Sequence, residues 1–398
     1  MINNRVCLYL PPISGDYSGA CSALFDLGGM ICIHDAAGCT GNYTHFDEPR
    51  WYGSESMVYC TSLRKIDAIL GDDEKFISRI SEAAREMKPE FIAIVGSPVP
   101  NVIGFDFKGV ARAISSRTSI PAFGFATAGI KGSYKDGIVM AVKAVTDYYI
   151  ELNDGKRSEA GKKLNILGAT PLDIPEENFE YLRSIFEKRG YELRIPGNKY
   201  GSMDQIKDIE GAALNLAFTQ SGLELAAYYD KKLGMPYLCG LPISKSDTDS
   251  YFERLEEVIK NKKSGIFTTR NTENENRCVR KACIIHDAVI TSAIADLLEK
   301  KGIESEVCTL SGKTKEMAKL GIVNLYDEDK IIEKVNDEKI ETVIADPLIL
   351  NLIETKKTKI ALPHFAVSSR VCSKQNWNFF DEHEWELRLN AVQPHSLS

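Results

Sequence analysis

A short apolar run that ends in His-Asp and breaks into a turn occurs twice, and this feature most limits how the chain can fold. The first copy, residues 30–39, reads Met-Ile-Cys-Ile-His-Asp-Ala-Ala-Gly-Cys; the second, residues 281–287, reads Lys-Ala-Cys-Ile-Ile-His-Asp. Apolar runs of this length, closed by turn residues, read as buried strands rather than helices. Others follow at 91–95, 120–125, 163–170, 212–218, 235–242, 304–310, 342–346 and 359–363. Between them lie patterns of helical length, at 74–87, 106–116, 134–151, 175–189 and 223–232; in the second of these, Phe107, Val110 and Ile114 recur at three- and four-residue spacing. Strands alternating with such helices predict parallel sheets. Open parallel sheets carry their chemistry on loops just past the carboxyl ends of the strands, and Cys39 lies on such a loop.

The β-α-β theme is played three times, with polar stretches at 153–156 and 261–278 as natural breaks. The expected division is therefore 1–155, 156–265 and 276–365, with the tail 366–398 packing back on the first domain. A chain of 398 residues is long enough for two to three domains.

Charge and cysteine content narrow the function. Forty-nine basic against fifty-six acidic residues give a net charge of −7, with the signs interspersed, so there is no electrostatic footprint for nucleic acid. No apolar run approaches a membrane span. Residues 1–10 meet Pro11 and Pro12 before any secretory signal develops, and the expectation is a cytoplasmic protein. Ten cysteines, unevenly spaced, do not make a disulfide scaffold. Cys7, Cys239, Cys308 and Cys372 read as small core residues.

Cys21, Cys32, Cys39 and Cys60 are separated by 11, 7 and 21 residues, and no Cys-x-x-Cys occurs anywhere. That excludes a compact ferredoxin or zinc-ribbon knot and permits a cluster held from separate loops. Cys32, mid-strand between two isoleucines, is predicted to be core. Cys39 and Cys60, beside polar or small residues, are the candidate ligands. For His34 two readings stand open, a proton relay or a hydrogen-bonded structural histidine. The mixed segment 43–53 reads either as a docking or substrate loop or as a polar excursion with Trp51 tucked against the body. Neither a phosphate-binding loop nor a dinucleotide fingerprint is present; the nearest approach, Gly124 to Gly129 followed by Ile130 and Lys131, lacks the Gly-Lys-Ser/Thr ending. No nucleotide is expected to bind this chain.

These motifs together resemble the component 1 proteins of nitrogenase and their relatives. His34-Asp-Ala-Ala-Gly-Cys39 is similar to that family's His-Gly-Pro-x-Gly-Cys turn, whose cysteine ligates an iron–sulfur cluster. The likeness continues in order through residues 61–71, 95–104 and 127–133. It runs on through 213–226, 234–237, 240–243 and 280–298.

The resemblance implies three Rossmann-like α/β domains around a central cleft, and a reductase that receives low-potential electrons from a separate ATP-hydrolysing iron protein. It also implies a homodimer, or a heterodimer with a second component 1-like chain, and a small-molecule substrate in the interdomain cleft. Departures shape the expectation further. Of the three cysteines that hold the bridging cluster in larger members, Cys39 matches one, Cys21 lies a few residues past another, and the third falls at Ser97 or Pro98. A [4Fe-4S] cluster shared between subunits, with Cys39 joined by Cys21 or Cys60 from each chain, is the implied cofactor, since four thiolates suffice. The position of the family's catalytic-cofactor cysteine falls near Thr219, and its histidine ligand near His364. Dinitrogen is thus not the implied substrate. The alternatives are a metal-cofactor assembly scaffold and a cluster-free small-molecule binding protein of the same fold.

Overall fold

The computed structural model describes residues 7–153, 160–270, 281–312, 314, 317 and 320–390. Their strands fall into three sheets, and the chain divides into two compact units.

One unit is built from Ile13–Leu172 and Leu193–Ala213. Its sheet comprises β1 (Met30–His34), β2 (Met57–Cys60), β3 (Ile92–Gly96) and β4 (Ala122–Phe125), all parallel and ordered β2-β1-β3-β4. Every residue of β1 and β3 is buried, the pattern of interior strands covered on both faces. On one face, Met30, Cys32, Ile92 and Ile94 pack with Ile77 and Ala84 of the helix Asp73–Met87 and with Val110 and Ile114 of Phe107–Thr118. Cys32 is thus the core residue its mid-strand position predicts. The helix Asp73–Met87 starts where the Asp72 carboxylate accepts the Lys75 N–H, and ends at Lys88 in the left-handed region; both are ordinary start and stop chemistry.

The periodicity of the sequence did not announce the helix Asp16–Leu24, in which every residue is buried. It crosses Tyr134–Asn153 at a separation only glycine allows. A Cβ on Gly19 would stand 1.8 Å from the Tyr134 carbonyl oxygen, and one on Gly137 would stand 1.8 Å from that of Asp16. Gly19→Ala is therefore expected to destabilise the protein by about 2–3 kcal/mol through overpacking, read as a lower urea midpoint at unchanged slope. The same crossing is locked by Asp16, whose carboxylate accepts the backbone N–H groups of Ala128 and Gly129.

The other unit is built mainly from Asp173–Glu192 and Leu214–Ser398. After β5 (Lys163–Ile166) and β6 (Glu192–Arg194), strands β7 (Leu214–Ala217), β8 (Tyr237–Cys239) and β9 (Gly265–Ile266) pair in parallel within it. Its five-stranded sheet consists of β10 (Lys281–Ile285), β11 (Glu304–Thr309), β12 (Val323–Asn324), β13 (Thr342–Ala345) and β14 (Thr358–Ala361). The order is β12-β11-β10-β13-β14. The second His-Asp copy thus ends a central strand, as the first does. The helix Glu382–Asn390 is held by Glu382, which accepts the Lys245 N–H, and by Lys301.

Candidate functional site: the carboxyl end of the first sheet

Where β1 ends, Asp35 organises the turn. Its carboxylate accepts N–H bonds from Ala37 at 2.9 Å and Thr40 at 3.1 Å. Ala37 sits at φ 117°, the left-handed side of the map, unusual for a residue with a Cβ; backbone strain of this kind gathers at functional sites. The short helix Gly38–Asn42 follows and carries Cys39, half-buried, in its first turn. Burial and the adjacent Asp35 charge push the Cys39 thiol up to about 11. In the bare chain it is protonated near neutrality, and a bound cation would displace that proton.

Cys60, at the end of β2 and also half-buried, donates its S–H to the Asp35 carbonyl at 3.5 Å and accepts the Ser62 N–H at 3.3 Å. Asp35 is therefore common to both thiols. Replacing it with asparagine keeps an oxygen acceptor but removes the charge. Asp35→Asn is expected to speed alkylation of Cys39 at pH 8 about threefold, the effect of roughly half a pKa unit, as quantified by peptide mass spectrometry.

The other expected residues distribute differently. Cys21 lies inside the helix Asp16–Leu24 with no solvent exposure, and burial, aided by Glu48, Cys32 and Asp47, pushes its thiol well up. The small residues around it permit the close helix crossing. Ser97, which with Pro98 was the expected place of the family's third cysteine, is also fully buried and donates its hydroxyl to the His34 carbonyl at 2.8 Å. Segment 43–53 is anchored by a buried Arg50, which binds Glu48, Asp26 and the Ser22 carbonyl. Tyr43 donates to Glu48 in the same network. That polar chemistry is structural.

The chemistry of the donor set tests the expected cluster. At this end of the sheet two thiols are reachable, Cys39 and Cys60; Cys7, expected to be core, is exposed but lies in the other unit, and among the described residues no three His, Cys, Asp or Glu groups converge on a common metal position. Two thiols fit half of a four-thiolate cluster, so the set fits a group shared by two chains and does not fit one held by a single chain.

Beside Cys60 opens a cavity of about 450 Å³, within the usual range for small-molecule pockets. Its floor is His34, packed against Phe76 and Phe105 with ring centroids 4.7 and 4.4 Å away. Burial pushes the imidazole down to about 4 against the opposing pull of Asp35, so it is neutral at pH 7. Its Nδ1 meets the Thr61 hydroxyl at 2.7 Å, and the same oxygen accepts the Asp35 N–H at 3.3 Å. When the hydroxyl donates its hydrogen to Nδ1, in a tautomer this pairing permits, the imidazole proton sits on Nε2.

A second buried cluster lies in the other unit, at the ends of β10, β13 and β14. His364 contacts Asp173 at 3.1 Å through Nε2, and its backbone N–H donates to Asp346. His286 stacks on it, with centroids 4.1 Å apart. Asp287, next along, accepts the N–H groups of Gln220 and Val289. His286 and Asp173 were not singled out by sequence reasoning; the repeated His-Asp ending of two strands was the available signal for the first, and no local signal marks the second.

Comparison with known proteins gives the family and the fold. The family model of the nitrogenase component 1 type oxidoreductases matches residues 16–363. The chain belongs to that family. It is 22% identical over 390 residues to the nitrogenase molybdenum-iron protein beta chain of Methanococcus maripaludis, covering 87% of this chain and 80% of that one. To the nitrogenase iron-molybdenum cofactor biosynthesis protein NifN of Bradyrhizobium diazoefficiens it is 24% identical over 209 residues, half of this chain and 43% of the relative. A subunit of the light-independent protochlorophyllide reductase of Porphyra purpurea is 21% identical over 306 residues, 69% of this chain and 57% of that one. The solved structure described as nitrogenase Cp1 at pH 6.5 superposes with a TM-score of 0.68 at 15% identity, covering 98% of this chain and 94% of that one. The fold of this component 1 type chain is thus α/β with Rossmann-like parallel sheets. Among the described residues no helix is long and apolar enough to cross a membrane.

Proposed function

We propose that this component 1 type chain is the substrate-reducing half of a two-component, low-potential reductase of the cytoplasm. In this reading two chains share a [4Fe-4S] cluster through Cys39 and Cys60 of each. The observation that carries it is the pair of half-buried thiols flanking one aspartate at the end of β1. When bound, the cluster supplies single electrons.

The chain's own residues do the rest. Asp35 fixes the turn that presents Cys39, Ser97 pins the end of β1, and His34 holds a proton at Nε2 facing the cavity. A separate ATP-hydrolysing iron protein is the electron donor, consistent with a sequence that lacks a phosphate loop. Ile66, Ile69, Leu70 and Val102, exposed by 52%, 68%, 70% and 84%, support a protein partner on this side. A small unsaturated or sulfur-containing molecule, or a tetrapyrrole, is the substrate class, and dinitrogen is not.

Likeness to NifN supports a second reading, a scaffold on which a metal cofactor is assembled without turnover. Anaerobic purification with iron and acid-labile sulfide analysis tests the cluster, with about four irons per two chains expected. An iron-free protein, silent in electron paramagnetic resonance after reduction, would overturn it. With iron present, electron uptake from an iron-protein partner that accelerates on adding substrate supports the reductase; uptake indifferent to every candidate substrate supports the scaffold.

A further inference from the structure

We infer that the cavity beside Cys60 is a binding site for a small planar, unsaturated carboxylate, held by the His34 Nε2–H at its floor and the Arg79 guanidinium at its rim. The site stands whether or not the thiols carry a cluster.

Shape argues for a flat apolar body. The pocket is walled by Phe76 and Phe105 with Ile80, Ile103 and Leu63, and the two phenyl rings and the His34 imidazole form a three-ring cluster with centroids 4.4 to 5.3 Å apart. An unsaturated ring or chain gains the same edge and face contacts with them. The helix Asp73–Met87 builds one side, because Phe76, Arg79 and Ile80 stand at three- and four-residue spacing and share a face.

Polarity argues for an acceptor-bearing end group. Of the acidic residues at the rim, Asp67 is bonded by both Arg64 and Lys75, and Asp72 accepts the Lys75 N–H as a helix cap. Burial, with the like charges of Asp106 and Asp72, pushes the Asp73 carboxyl up. Lys75, the other rim cation, is committed to Asp67 at 2.7 Å. Arg79 is solvent-exposed and, among the described residues, makes no ion pair or hydrogen bond. His34 Nε2 likewise carries no hydrogen bond and is not sealed from the cavity. Two donors without acceptors, one deep and neutral and one outer and charged, line one cavity of mixed polar and apolar walls. A carboxylate satisfies the guanidinium with the charge-assisted geometry that arginine favours, and a second oxygen or ring heteroatom of the ligand satisfies the imidazole.

The test uses the full-length protein, purified anaerobically with its iron content recorded, titrated calorimetrically with benzoate, benzyl alcohol and benzylamine. Saturable binding of one benzoate per chain is expected, with benzyl alcohol weaker and benzylamine weakest. Arg79→Gln, on an exposed side chain, is expected to weaken benzoate at least about tenfold, the worth of one charged hydrogen bond. Thr61→Val removes the hydroxyl that keeps the imidazole proton on Nε2 and is expected to weaken benzoate about threefold or more, with thermal melting confirming the fold. Absence of saturable benzoate binding, equal affinity in Arg79→Gln, or preference for benzylamine would each overturn the assignment. Because an iron-free sample should bind benzoate equally, failure here is distinguishable from failure of the cluster reading.

Discussion

Cys39→Ala, and separately Cys60→Ala, is expected to retain at least about tenfold less iron than the wild-type protein after anaerobic reconstitution with iron and sulfide, whereas Cys21→Ala retains the wild-type amount. Each of the first two substitutions removes two of the four thiolates proposed for the shared cluster, and losing even an outer-shell partner of a metal ligand costs 10–100-fold in affinity. Cys21 is the informative control. It comes from the same cysteine-rich stretch, but its side chain has no exposure and lies in a helix packed at glycine contact distance against another. Truncating it should cost about 1–2 kcal/mol of stability through a small cavity, and no iron. Circular dichroism establishes that all three variants fold. Full iron in Cys39→Ala, or equal loss in a folded Cys21→Ala, would remove the Cys39–Cys60 assignment.

That contrast also shows where sequence reasoning reaches. Buried parallel strands are legible because they are apolar at every position, as at Ile92–Gly96, and the helix Asp73–Met87 is legible because its apolar residues recur at helical spacing. The helix Asp16–Leu24 is not, since burial on all sides leaves no polar face and small residues replace the apolar stripe. Its tolerance of Asp16, Ser18 and Ser22 depends on partners distant in sequence, such as Ala128 and Gly129 for Asp16. The candidate site divides the same way. The turn carrying Cys39 is local and visible as Gly-Cys after a strand, and the family likeness singles out that cysteine. The cavity is not visible, because it needs Phe76 and Phe105 brought to His34 from two other elements. The stack of His286 on His364 joins residues from the ends of two different strands, and only the repeated His-Asp phrase hinted at it.

That stack carries the second large prediction. His286 is fully buried, and burial together with the neighbouring His364 pushes its imidazole down to about 3, against the opposing pull of Asp173, Asp287 and the Pro363 carbonyl. The sign follows from proton counting. Above pH 6.5 the imidazole is neutral in both folded and unfolded chains and contributes no pH dependence. Between pH 6.5 and about 3 the unfolded chain binds a proton that folded His286 refuses, so stability falls as pH falls through that window. A displacement of this size amounts to roughly 5 kcal/mol when fully expressed, of which about 4 kcal/mol is reached by pH 3. His286→Gln removes the titrating group, and its own packing penalty is the same at every pH. Urea midpoints measured from pH 7 to pH 3 should therefore show the wild-type protein losing roughly 4 kcal/mol more than the variant. Acid effects from carboxylates elsewhere are shared by both proteins and cancel in the difference. Parallel stability curves would mean that the proton is taken up elsewhere and that the buried stack tolerates acid.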